Sequence, residues 1–141
     1  MRDFFYRLAQ WTWGLPQTIT GAFIALLLRD APSFPYRGTI VKIWKCHGSM
    51  SLGMYLFLDC RLSGLDESGK LTGYADEILR HEYGHTYQSL MLGPLYPLVI
   101  GLPSMIWAKS ERIRRWRKKT GKSYGWLYTE GWADRLGGVT E

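Results

Sequence analysis

Residues 74 to 92 read YADEILRHEYGHTYQSLML, and the rest of the chain is best read outward from them. Asp76 and Glu77 fall where the positive end of a helix dipole favours acids, and Gly93-Pro94 supplies a stop. The segment Tyr74 to Leu92 is therefore expected to be one helix. Within it, His81-Glu82-Tyr83-Gly84-His85 has the form HExxH. On a helix this i, i+4 spacing puts both imidazoles on one face, about 6 Å apart along the axis and within reach of a common cation. Glu82 falls beside that face, placed to touch a water on the cation without being a ligand itself.

A catalytic zinc takes three protein ligands and leaves one position for water. The carboxylates downstream of residue 109 are Glu111, Glu130, Asp134 and Glu141. Glu111 lies inside a cationic run and Glu141 is the last residue, which leaves Glu130 and Asp134. These two are again i, i+4, on a helix expected over Gly125 to Leu136. One of them can bind the metal while the other, a turn away, accepts the second ring N–H of a ligand histidine.

HEYGH followed by TEGWAD resembles the gluzincin class of zinc metallopeptidases, whose pattern is HExxH with a later E-x-x-x-D. The resemblance implies a hydrolase that cleaves peptide or protein substrates with Zn2+. It makes His81, His85 and Glu130 the metal ligands, Glu82 the catalytic base, and Asp134 the partner of a ligand histidine. Candidates for an oxyanion or substrate donor are Tyr124, Tyr128 and His47. The remaining sequence, with LPQ at Leu15 to Gln17, SLG at Ser51 to Gly53 and GPLY at Gly93 to Tyr96, resembles short bacterial proteins to which no activity carries over.

The chain has 141 residues, 46% apolar and 21% charged. That composition suits one folded domain over residues 1 to 141, excludes a disordered chain, and leaves no room for a separate cofactor module. Cys46 and Cys60 form no disulfide framework and no CxxC pair. The net charge of +6 is local: residues 109 to 122 hold eight Lys or Arg and one Glu, and the remainder is close to neutral. Such a segment is a contact for an anionic surface. It carries one aromatic residue, Trp116, and no nucleic-acid motif, so a membrane surface is the expected partner and nucleic acid is not.

Arg37 to His47 reads as a strand, and Leu52 to Asp59 as a second one after a turn at Gly48 to Ser51. The two are expected to form a hairpin whose strand from Leu52 to Leu58 offers an open edge to an extended peptide. Ser63 to Thr72 reads as a polar loop. Leu8 to Leu28 and Thr86 to Ala108 are uncharged, and no signal-cleavage pattern precedes Arg29 and Asp30, so residue 1 is expected in the mature chain. A straight membrane crossing by residues 86 to 108 would put Glu130 on the far side from His81. That region is instead expected to break at Gly93 to Pro97 and lie in the core or against a bilayer.

The expectation is thus an α+β fold: a minimal zincin-like domain with the HExxH helix beside a short β-hairpin and with apolar, membrane-associating helices. The function expected is that of a zinc metallopeptidase at or near a membrane. The competing reading is an inactive protein that keeps the metal as a structural staple and docks on membrane or RNA through residues 109 to 122.

Overall fold

The computed structural model describes residues 2–62 and 72–139, a mixed α+β arrangement. The chain begins with helices α1 (Arg2–Thr12) and α2 (Leu15–Leu27). Four strands follow: β1 (Ser33–Tyr36), β2 (Thr39–Trp44), β3 (Met50–Leu52) and β4 (Tyr55–Asp59). The HExxH helix is α3 (Gly73–Leu92), and α4 (Leu102–Lys109), α5 (Glu111–Thr120) and α6 (Tyr128–Gly137) complete the fold. Most of the polar loop expected over Ser63 to Thr72 lies outside the described residues.

The sheet order is β1-β2-β4-β3. The expected hairpin between residues 37–47 and 52–59 is not formed. β2 and β4 run parallel, Val41 opposite Leu56, and each belongs to a different hairpin. The reason lies in two turns read as strand. Arg37 and Gly38 both have positive φ, as a two-residue primed turn requires, and they join β1 to β2. Gly53, at φ +59, joins β3 to β4, and a Cβ there would stand 2.1 Å from Thr18 Oγ1. Only glycine permits both the turn and the approach of α2. The open edge beside the HExxH helix is consequently β3, while residues 55–59 are the interior strand β4.

Val41, Leu56, Leu58 and Leu79 form the fully buried core between sheet and α3, with Phe34, Tyr36 and Ile78 packed around them. Leu56 and Leu58, two apart on β4 and so on one face of the sheet, meet Leu79 on the inward face of α3, so the core fixes the rotation of that helix about its axis. Asp59, at the end of β4, accepts a bond from Gly48 N at 2.9 Å and pairs with Arg61, while its own N–H donates to Ser49 Oγ at 3.2 Å. These bonds tie the 45–49 loop down, and the loop delivers β3 to the HExxH helix.

Helix α3 starts at Thr72, whose hydroxyl accepts from Ala75 N, and ends at Gly93, φ +52, against which the Trp13 ring packs. The break expected at Gly93 to Pro97 is a 3-10 turn at Gly93–Leu95 followed by a π-helical turn at Pro97–Gly101. The uncharged stretch Leu8 to Leu28 is also broken, at Trp13 and Gly14. Among the described residues no helix is long and apolar enough to cross a membrane.

Candidate metal centre

Helices α3 and α6 pack extensively on one another, and two glycines set their distance. A Cβ on Gly84 would lie 2.0 Å from Ala133 O, and one on Gly137 would lie 1.9 Å from Arg80 O. Backbone therefore meets backbone, and the short Glu130 and Asp134 side chains reach the imidazoles of α3. His81 Nε2 is 3.1 Å and His85 Nε2 3.7 Å from Glu130 Oε2. The ligand atoms of His81, His85 and Glu130 all lie within 4.8 Å of one another, a group that can hold a metal ion.

The tautomers follow from the outer bonds. His81 Nδ1 is 2.6 Å from Asp134 Oδ1, and His85 Nδ1 is 2.7 Å from Gln88 Oε1. Each Nδ1–H donates outward, which points each Nε2 inward toward Glu130. Gln88 is itself fixed, its amide nitrogen donating to Thr129 O at 2.8 Å. Glu130 Oε1 accepts from the Thr129 hydroxyl at 3.2 Å, whereas Oε2 is buried without a well-directed hydrogen bond. A buried carboxylate oxygen left bare between two imidazole nitrogens is what a cation-binding site requires, so the residues fit a metal.

The electrostatics of the metal-free site agree. Burial opposes the charged form of His81, but Glu130, Glu82 and Asp134 outweigh it and push its pKa up to about 9. Glu130 also suffers burial, which the two histidines overcome, holding its carboxyl well below the usual range. Glu82 goes the other way. Its pKa is raised, chiefly by burial, with His85 and His81 offsetting part of the effect.

These groups line a cavity of about 140 Å³ that also touches β3 through Met50 and Ser51. Tyr124 and Tyr96 stand in its wall, and burial above all, helped by the nearby carboxylates and for Tyr96 partly offset by Ser51, keeps both phenols protonated far above neutral pH. Of the three donor candidates read from sequence, Tyr124 therefore reaches the cavity. Tyr128 does not: it is exposed and donates to Val99 O at 2.6 Å. His47 is exposed on the 45–49 loop, away from the cavity wall.

Tyr96, Ser51 and Gln88 escaped the sequence reading. Gln88 carried a usable signal, since it is three residues after His85 and so on the same helix face. Tyr96 carried none, because its approach depends on the turns after Gly93. No protein-family model, curated protein or solved structure matches this chain.

Proposed function

We propose that this protein is a zinc-dependent metallopeptidase of the gluzincin kind, with His81, His85 and Glu130 holding the metal and Glu82 as catalytic base. The observation that carries this reading is the convergence of three ligand atoms from two helices, with a buried glutamate beside them and an outer acceptor on each imidazole. Two histidines and a glutamate are a donor set of catalytic zinc. When bound, zinc supplies Lewis acidity and brings the pKa of a coordinated water to about 7.

The chain's own residues supply the remaining steps. Glu82, whose carboxylate is made more basic by burial, takes a proton from the attacking water and returns it to the leaving amine. Tyr124 and Tyr96, both held protonated, are the O–H donors available to the oxyanion that develops on the scissile carbonyl. Edge strand β3 has unpaired backbone groups beside the cavity, to which an extended peptide can add as a further strand.

A metal staple is the weaker reading. Structural zinc is closed by four protein ligands, and among the described residues only these three cluster, with Cys46 and Cys60 outside the group. The test is Glu82→Gln assayed on a peptide library beside the wild type. Wild-type cleavage that disappears in a variant still holding its metal supports the assignment. Cleavage that survives the substitution removes Glu82 from the mechanism.

A further inference from the structure

Large apolar side chains on one side of the molecule have no protein to pack on. On α2, positions 16, 20, 23 and 27 form one stripe. Phe23 and Leu27 on it are 61% and 68% exposed, and Leu98, next in sequence to Pro97, is 69% exposed. A groove beside this stripe is lined by Pro16 and Thr20 of α2 and by Pro97, Leu102 and Met105. Its two walls are joined where Gln17 donates to Gly93 O at 3.1 Å and Trp13 packs on Gly93. The groove also shares Ser51, Tyr96 and Met105 with the metal cavity, so the cleft opens onto this apolar face.

Moving along α4, the chemistry changes in a fixed order. Leu102 and Met105 belong to the apolar groove. Trp107 then stacks with Trp126, centroids 6.0 Å apart, and Trp116 closes the cluster at 5.5 Å from Trp126. Beyond Lys109 comes α5, started by the Ser110 cap, with no buried residue and with Arg117, Lys118 and Lys119 in its last turn. Apolar surface, indole cluster and cationic helix follow the order of acyl chains, interface and anionic headgroups in a bilayer leaflet.

We propose that the face formed by α2 and residues 93–106 docks into the interfacial layer of an anionic bilayer, with α5 lying at the headgroups. Among the described residues no helix is both long and apolar enough to cross, so the contact proposed is with the interfacial layer. Charge decides between lipid and a second copy of the chain. A second copy of the chain would offer α5 only another cationic helix, whereas anionic lipid complements it.

The test is co-sedimentation of the full chain with vesicles of phosphatidylcholine alone and of phosphatidylcholine mixed with phosphatidylglycerol. Wild type is expected to bind the mixed vesicles at least tenfold more tightly. The triple variant Phe23→Gln, Leu27→Gln, Leu98→Gln is expected to lose binding to both. Arg112→Gln, Lys118→Gln, Lys119→Gln together are expected to reduce binding of mixed vesicles to the level of neutral ones. Quenching of wild-type tryptophan fluorescence by brominated lipid gives a readout that needs no variant, and its absence overturns the proposal. So does an apolar triple variant that folds and binds like wild type, or a wild-type dimer in lipid-free solution that this variant splits. Lipid binding requires no metal, so its failure is separable from failure of the peptidase reading.

Discussion

Gly84 sits directly against Ala133: a Cβ at residue 84 would lie 2.0 Å from the Ala133 carbonyl oxygen. The glycine inside HEYGH is thus, with Gly137 against Arg80, one of two points at which α3 and α6 touch, and that contact brings Glu130 to the two histidines. Gly84→Ala cannot be absorbed by a side-chain rotation, because the obstacle is backbone. It is expected to push the helices apart, to cost about 2 kcal/mol or more in thermal or denaturant unfolding, and to abolish metal binding. A Gly84→Ala protein that holds metal at wild-type affinity contradicts this role.

Asp134 and Gln88 each accept the outer N–H of a ligand imidazole. Asp134→Ala and Gln88→Ala are each expected to weaken zinc binding by about 10- to 100-fold while leaving the stoichiometry intact. Titration against a chelator of known affinity measures this. The outcome separates these two from His85→Ala, which is expected to remove the site rather than loosen it.

His81 gives a pH dependence whose sign is fixed. Its pKa in the folded, metal-free protein is raised to about 9, against about 6.5 in an unfolded chain. The stabilisation from its protonated form is therefore complete below about pH 6.5 and is lost as pH rises through 9. The Tm of the metal-free protein is expected to fall across that window. Because metal displaces the same proton, apparent zinc affinity is expected to rise about tenfold per pH unit over much of it, with about one proton released per metal bound. Calorimetry in buffers of differing ionisation enthalpy reads the proton directly, and an affinity flat between pH 6.5 and 9 would refute the linkage.

Some of this was legible in the sequence. The helix read as Tyr74 to Leu92 is Gly73–Leu92 because its acidic first turn and its Gly-Pro stop are local signals. The i, i+4 spacings of His81 with His85 and of Glu130 with Asp134 were enough to bring these residues onto facing surfaces of two helices. What was hidden depends on tertiary contact. Gly53 in an apolar run was read as strand, although its tight turn against Thr18 separates β3 from β4 and makes the β2–β4 pairing parallel. Pro35 obscured β1, which survives as an edge strand, where proline is tolerated. The helix expected from Gly125 begins only at Tyr128, after a 3-10 turn at Tyr124–Trp126 that puts Tyr124 beside His81, ring centroids 6.2 Å apart.

The most direct measurement is the metal content of the purified chain beside His85→Ala and Glu130→Ala. About one zinc per wild-type chain, lost in both variants while their helical content is unchanged, is the expected result. Zinc retained at full stoichiometry without the carboxylate of Glu130, or a wild-type chain that takes up no zinc when it is supplied, would contradict a metal gripped jointly by α3 and α6.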